Sequence, residues 1–384
     1  METRIDFLRW LQTDMALNIL MFLDDPADLV RASAVSCFWR HFVIANGLCK
    51  QLCVRMFPQL SSVAHVIETS CCCKAKKSVG VESSNLMEWE ALERDHIAYA
   101  PLFRALTGFA LSDCIAGAVG ASSTDNYPFE SIANTLEPGD RVQRRASYWS
   151  SKGHRDPAAP ETLLYKLSAD LCVITQINIR PFQAYFQLGH PIYSAKAVRF
   201  RFGHAKSLED IEGDLMHLPL LQPADDKFIW TYTSIEFPMA QENSLQIIKL
   251  PEPVLCIGGF LQIELLGRVQ RQDMDGLFYI CVSHVQVVGR SLPPTIGIEI
   301  LEPSGKFSLK YDSGAFDHTL TSSSYGGPPV SSVVPPLPPE EMLWGRLGNL
   351  VQFLIQGNEP DVEPLEWDDV DDDEDNEVDE GVIL

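Results

Sequence analysis

The chain has 384 residues, 46% of them apolar and 21% charged, a balance that excludes a wholly disordered or collagen-like polypeptide and leaves room for two domains. Its net charge of −22 is lopsided: residues 359–380 hold fourteen carboxylates and no Lys or Arg, so the remainder carries about −8, the difference between the two. With no basic stripe and no apolar run of roughly 18 residues, nucleic-acid binding and bilayer spanning are not expected.

The first ten residues include Glu2, Arg4, Asp6 and Arg9, which do not suit a secretory leader. Ten irregularly spaced cysteines suit reduced thiols, and a cytoplasmic or nuclear location is expected.

Residues 1–60 have helical periodicity. Leu11, Met15, Leu17, Ile19, Leu20 and Leu23 give the first helix a broad apolar surface, and Asp24-Asp25-Pro26 interrupts it. A second helix carries Leu29 and Val30, and a third region carries Val35, Phe38, Trp39 and Phe42. Three short helices in about forty residues cannot bury a full core alone. Their surplus apolar surface needs either a partner or the chain's own downstream domain.

This run resembles the F-box, which reads roughly as Leu-Pro, a Leu/Ile-rich helix, a break, Asp-Leu, a small-residue stretch and Val-Cys-x-x-Trp-Arg. The matching residues are Leu11, Ile19, Leu23, Asp28, Leu29, Ser33, Val35, Trp39 and Arg40. Gln12 stands where the family usually has proline, and the cysteine is displaced by one place in Ser36-Cys37. In the sequel LCKQLCVRMFP, Leu48, Leu52 and Phe57 are expected to pack under the helices.

The resemblance implies docking to the helical adaptor of a cullin–RING ubiquitin ligase, and through it to the cullin and RING subunit. Leu11, Met15, Leu17, Ile19, Leu20, Leu23 and Leu29 would contact the adaptor, while Val35 and Trp39 would pack the motif itself.

Residues 61–110 read as a linker containing a helix, with Trp89, Leu92, His96 and Tyr99 at spacings of three and four. Cys71-Cys72-Cys73 suits a reduced loop rather than zinc: Cys49 and Cys53 supply one C-x₃-C spacing, and no second pair accompanies it. Neither a metal nor another cofactor is expected.

From 111 to 290 the texture changes to β-branched and aromatic runs separated by turn residues, as in an antiparallel β-sandwich. In KAVRFRFG, Val198, Phe200 and Phe202 alternate with Arg199 and Arg201, which are expected at the surface. Alternation in LCVITQINI places Val173, Thr175, Ile177 and Ile179 opposite Cys172, Ile174, Gln176 and Asn178.

Ala121-Ser122-Ser123, Asn134, Trp149-Ser150-Ser151 and the closing YICVSHVQVVGR occur in the order of a discoidin-type, galactose-binding-like jelly roll, which the region resembles. That resemblance implies a structural Trp149, with Tyr148, Lys152, His154 and Arg155 on a candidate target-binding loop. Ser150, Ser151, His154 and Asp156 are close in sequence, but no nucleophile elbow accompanies them, and catalysis is not expected. Asp273-Met274-Asp275-Gly276 reads as a turn rather than a calcium loop, because His284 occupies the position of the closing carboxylate.

Residues 291–384 read as mostly disordered: a Ser/Pro linker, a short amphipathic helix with Leu343, Leu347, Leu350 and Leu354, and the acidic tail. The expected fold class is thus α+β and multidomain, in a two-part layout that resembles plant F-box proteins. The implied function is recruitment of an unknown target protein to a ubiquitin ligase, a glycosylated target being one option because many relatives of the sandwich bind sugars. A glycan-binding module and a scaffold outside any ligase are the rival readings.

Overall fold

The computed structural model describes residues 6–69, 84–108, 110–142, 145–206, 224–301 and 306–312. Cys71–Cys73, the amphipathic stretch at 343–354 and the acidic tail lie outside the described residues.

Capping residues divide the N-terminal region into short helices. Helix α1 spans Thr13–Met21 and stops ahead of the Asp-Asp-Pro break. Helix α2, Pro26–Ser33, opens on proline, whose missing amide is harmless there, and Asp25 caps it by accepting the Ala27 amide at 2.8 Å. Ser36 caps α3, Cys37–Ala45, by accepting the Trp39 amide at 3.2 Å. Gly47, at a φ of 58°, turns the chain into α4, Leu48–Met56, beneath which Leu48, Leu52 and Phe57 are buried as expected.

Helix α5, Ser84–Gly108, places Ala98, Tyr99, Leu102, Phe103, Ala105 and Leu106 on one buried stripe.

The main strands are β1 (Val63–Glu68), β2 (Ile115–Ala121), β3 (Glu161–Leu167), β4 (Leu171–Gln183), β5 (Ala195–Ala205), β6 (Phe228–Thr233), β7 (Gln246–Ile257), β8 (Phe260–Arg268), β9 (Cys281–Ser291), β10 (Ile296–Leu301) and β11 (Lys306–Tyr311). One antiparallel sheet has the order β6-β5-β8-β3-β2. A second runs β7-β4-β9, with the short segments Ser112–Asp113 and Trp149–Ser150 against β9. Their facing side chains, among them Phe200, Phe202, Ile263, Ile177, Val285 and Trp149, form one buried cluster, so the region is the expected antiparallel sandwich.

The strict alternation expected in β4 does not hold. Val288 pairs with Gln176 and Gly289 with Ile174, leaving Thr175 as an extra residue. This bulge resets the parity, so Ile174 joins Ile177 and Ile179 in the sandwich core. Leu171 and Val173 turn the other way, into a cluster with the helices. Arg199 and Arg201 lie on the face opposite Val198, Phe200 and Phe202, as expected, and are partly exposed there, engaged by acidic neighbours: Arg199 Nε donates to Glu264 at 2.5 Å, and Arg201 donates to Asp225 at 2.7 Å while lying over the Trp230 ring.

The expectation of little order beyond residue 290 is corrected for β10 and β11. They form a separate sheet with β1, in which β1 and β11 run parallel from Val63↔Phe307 to Glu68↔Tyr311. Alternating Phe307, Leu309 and Tyr311 are buried and supply the missing apolar face. The stretch 61–110 is likewise more than a linker. Val63, Val66 and the α5 stripe share a buried cluster with Leu20, Leu29, Leu171, Leu255, Leu292 and Phe307.

Candidate functional site

Two surfaces warrant attention: the face of the N-terminal helices and the loop end of the sandwich. On the helical face, Met15 and Ile19 are exposed, whereas Leu11, Leu17 and Leu23 are half-buried against the helical core. Leu20 and Leu29 lie inside that core and support the surface from beneath instead of forming it. Val35, expected to pack the motif, stands 62% exposed because it falls between α2 and α3. Trp39 is the packing residue: its Nε1 donates to Asp6 at 2.8 Å, and its ring meets Phe7 edge-on at 5.1 Å.

Sequence reasoning missed Trp10 and Phe22, which are 81% and 83% exposed. A signal was present for the second. Met15, Ile19 and Phe22 follow one another at spacings of four and three, which places them on one outward stripe of a helix and its final turn. The resulting surface is apolar, open and carried by short helices.

At the loop end, the segment ASYWSSKGH is a structural seam with a few outward residues. Trp149 is fully buried, and its Nε1 donates to the Ser123 carbonyl at 3.0 Å. Beneath it, Arg268 pairs with Glu161, both buried, and also donates to Ser151 Oγ at 3.1 Å, to the Lys152 carbonyl at 2.8 Å and to the Phe278 carbonyl at 2.9 Å. Glu161 in turn accepts from the hydroxyls of Ser122 and Ser123. The paired and fully hydrogen-bonded guanidinium fixes the loop start, as a buried charge must be compensated. Gly153 is required by close approach, since a Cβ there would lie 2.6 Å from the Tyr279 ring.

Of the candidate loop residues, Lys152, His154 and Arg155 are exposed. Tyr148 is half-buried and stacks on Phe182 at 3.8 Å, with its hydroxyl donating to Glu130 at 2.7 Å. That hydroxyl is held well above the ordinary tyrosine range, by burial first and by Glu130 second. The Glu130 carboxyl is itself raised, chiefly by burial. Asp125 is raised by burial and by the nearby Asp275, with Lys152 acting in the opposite sense.

The serines and histidine do not assemble a hydrolytic centre. Ser151 Oγ is fully buried and committed to Arg268 and to the Ile280 amide, while His154 Nδ1 accepts the Asp156 amide at 3.0 Å. Cys49 and Cys53 are buried, with Cys49 Sγ 3.4 Å from His96 Nδ1 and Cys53 Sγ donating to the Tyr99 carbonyl. Burial pushes the Cys49 thiol up to about 12. Among the described residues no group of three or more His, Cys, Asp or Glu side chains is placed to hold a metal, and no helix is long and apolar enough to cross a membrane.

No family model matches the chain. Similar solved structures include the family 32 CBM of C. perfringens NanJ in complex with galactose, at 13% identity over 45% of this chain and 98% of that one, with a TM-score of 0.27. They also include allantoicase from Saccharomyces cerevisiae, at 13% identity over 54% of this chain and 57% of that one with a TM-score of 0.33. A fucolectin from striped bass serum is similar at 12% identity over 47% of this chain and 48% of that one, with a TM-score of 0.28. Likenesses this slight assign no ligand. A curated F-box protein of Arabidopsis thaliana is 53% identical over 313 residues, spanning 80% of this chain and 82% of the relative. Identity at that level over four fifths of the chain settles the family: the chain belongs to the F-box proteins.

Proposed function

We propose that this protein is the substrate-recognition subunit of an SCF-type cullin–RING ubiquitin ligase. The observation that carries the reading is the apolar stripe of Met15, Ile19 and Phe22, left open in a chain of the F-box family. On this reading the face docks on the helical adaptor, which connects it to the cullin and RING subunit, and the sandwich holds the target. Catalysis belongs to the ubiquitin-charged enzyme. The F-box chain contributes proximity, converting an encounter between two proteins into a reaction within one assembly. The location that fits is the cytoplasm, the nucleus or both.

The test is co-purification of the full chain with the adaptor, comparing wild type with Met15→Asp/Phe22→Asp. Both side chains are exposed, so the charges perturb the surface and spare the core. Wild type is expected to retain the adaptor and the variant to lose it, with an unchanged thermal transition. A well-folded wild type that does not bind the adaptor would defeat the reading.

A further inference from the structure

Where the sandwich meets the helices, its core holds cysteines that neither surface uses. Cys114, Cys172 and Cys256 are free thiols, fully buried in one cluster. Cys172 lies on β4 between Leu171 and Val173, the two residues that turn into the cluster with the helices. Cys114 is the residue at which the chain crosses between sheets: Ser112–Asp113 before it pairs with β9, and β2 after it pairs with β3.

Strand β9 brings Cys114 and Cys172 together. Ser291 stands opposite Cys172, and Gly289, two residues earlier on the same face, stands opposite Ile174. A Cβ added at Gly289 would lie 3.1 Å from Cys114 Sγ, so the missing side chain makes room for this sulfur. Cys172 Sγ donates to Ser291 Oγ at 3.7 Å, and Ser291 Oγ donates to Cys114 Sγ at 3.6 Å. The two thiols are also hydrogen-bonded to each other. Cys256 faces Cys172 from β7, but its Sγ is turned to the Phe260 carbonyl at 3.6 Å.

The contact makes the two sulfurs chemically unequal. Cys172 is held below the ordinary thiol value, first by the hydrogen bond with Cys114 and against the effect of burial. Cys114 is raised by that same hydrogen bond and then by burial. Burial raises the thiols of Cys49, Cys53, Cys256 and Cys281 as well. Thiolate character therefore concentrates on Cys172, and the thiolate is the nucleophile.

We propose that Cys114 and Cys172 are a redox-active pair, which hydrogen peroxide closes reversibly to an intramolecular disulfide. The pair is independent of adaptor docking. Cys172 gives up its proton and attacks one oxygen of the peroxide; an S–O bond forms, the O–O bond breaks, and the departing hydroxide takes the proton to become water. Cys114 then attacks the sulfenic sulfur, an S–S bond forms, and the hydroxyl leaves with the Cys114 proton as a second water. The two sulfurs together lose two electrons, which the peroxide gains. Access comes from the edge: Ser112 and Asp113 are exposed and paired only with Gly289 and Val288, so lifting this short segment uncovers both sulfurs while the sandwich stays folded. The bond fastens the chain's entry into the sandwich to the strand that carries Leu171 and Val173 against the helices, and oxidation stiffens that joint.

The experiment uses the full chain, purified reduced and treated with hydrogen peroxide under native conditions. Remaining thiols are blocked with N-ethylmaleimide in urea, and the unreduced digest is mapped by mass spectrometry. The expected product is a linked peptide pair joining Cys114 to Cys172, lower in mass by two hydrogens and abolished by dithiothreitol. With dimedone present, Cys114→Ser is expected to trap a sulfenic adduct at Cys172, and Cys172→Ser to give about tenfold less adduct, or lower still, at Cys114. Thermal transitions check that both variants fold, and the wild-type map decides the pairing without them. A bridge from Cys172 to Cys256 instead, or both thiols still open to N-ethylmaleimide once the exposed Cys37 is fully oxidised, would overturn the proposal. So would equal dimedone adducts at Cys114 and Cys172.

Discussion

Arg268 and Glu161 are the residues on which the loop end turns, because neither has water to fall back on. Replacing Arg268 with Ala leaves the Glu161 carboxylate buried and uncompensated, and is expected to cost about 3–5 kcal/mol in urea unfolding. Arg268→Met/Glu161→Leu removes both charges and is expected to be less destabilised than Arg268→Ala alone, a comparison that isolates the orphaned charge. Glu130 gives a test in pH. Its carboxyl is raised by burial, so the native state holds a proton that the unfolded chain has already released, and stability falls as pH rises through that window. Glu130→Gln is therefore expected to weaken the fall of Tm with rising pH above the ordinary glutamate value of about 4.3. Thiol labelling reads burial at the same scale: Cys37 is exposed and is expected to react with a thiol reagent well ahead of Cys49, whose thiolate is scarce at about pH 8. Residue roles were legible where chemistry leaves few choices, as with the buried Trp149. They were not legible for Leu20 and Ile19, adjacent apolar residues of which only packing decides that one is buried and the other exposed.

At the scale of elements, local signals did most where they are local in origin. The Asp-Asp-Pro break and the Val198, Phe200, Phe202 alternation both depend on near neighbours, and each is present in the fold. Ser36→Ala is accordingly expected to cost about 0.5–2 kcal/mol by removing the acceptor for the Trp39 amide, measurable by chemical unfolding. The parity shift at Thr175 was hidden because a bulge is specified by the register of a distant partner, here β9. The strands β10 and β11 were hidden for a related reason. IGIEIL and KFSLKY are short and sit beside a Ser/Pro-rich stretch, and β1, the partner of β11, lies more than two hundred residues earlier in the chain, as the hydrogen bond from Thr69 to Tyr311 shows directly, at a separation of 242.

For the whole molecule, the decisive fact is that one buried cluster contains residues from the helices, the second sheet of the sandwich and the β1–β11–β10 sheet. The helical face and the loop end are therefore parts of one compact unit, Met1–Tyr325. Phe307→Ala, far from either surface in sequence, is expected to cost about 3–5 kcal/mol and to lower the helical and sandwich signals together in a thermal melt. The parallel pairing of β1 with β11 also bears on how the protein is made. The N-terminal helices emerge from the ribosome first, yet Phe307, Leu309 and Tyr311, which complete their core, are synthesised after the entire sandwich. Until then the helices lack part of their support, and long-range closure of this kind is slow. A nascent chain or a product truncated before β11 would thus be a poor competitor for any partner of the helical face, so that the molecule offers this face in its finished form only when the sandwich behind it is already complete.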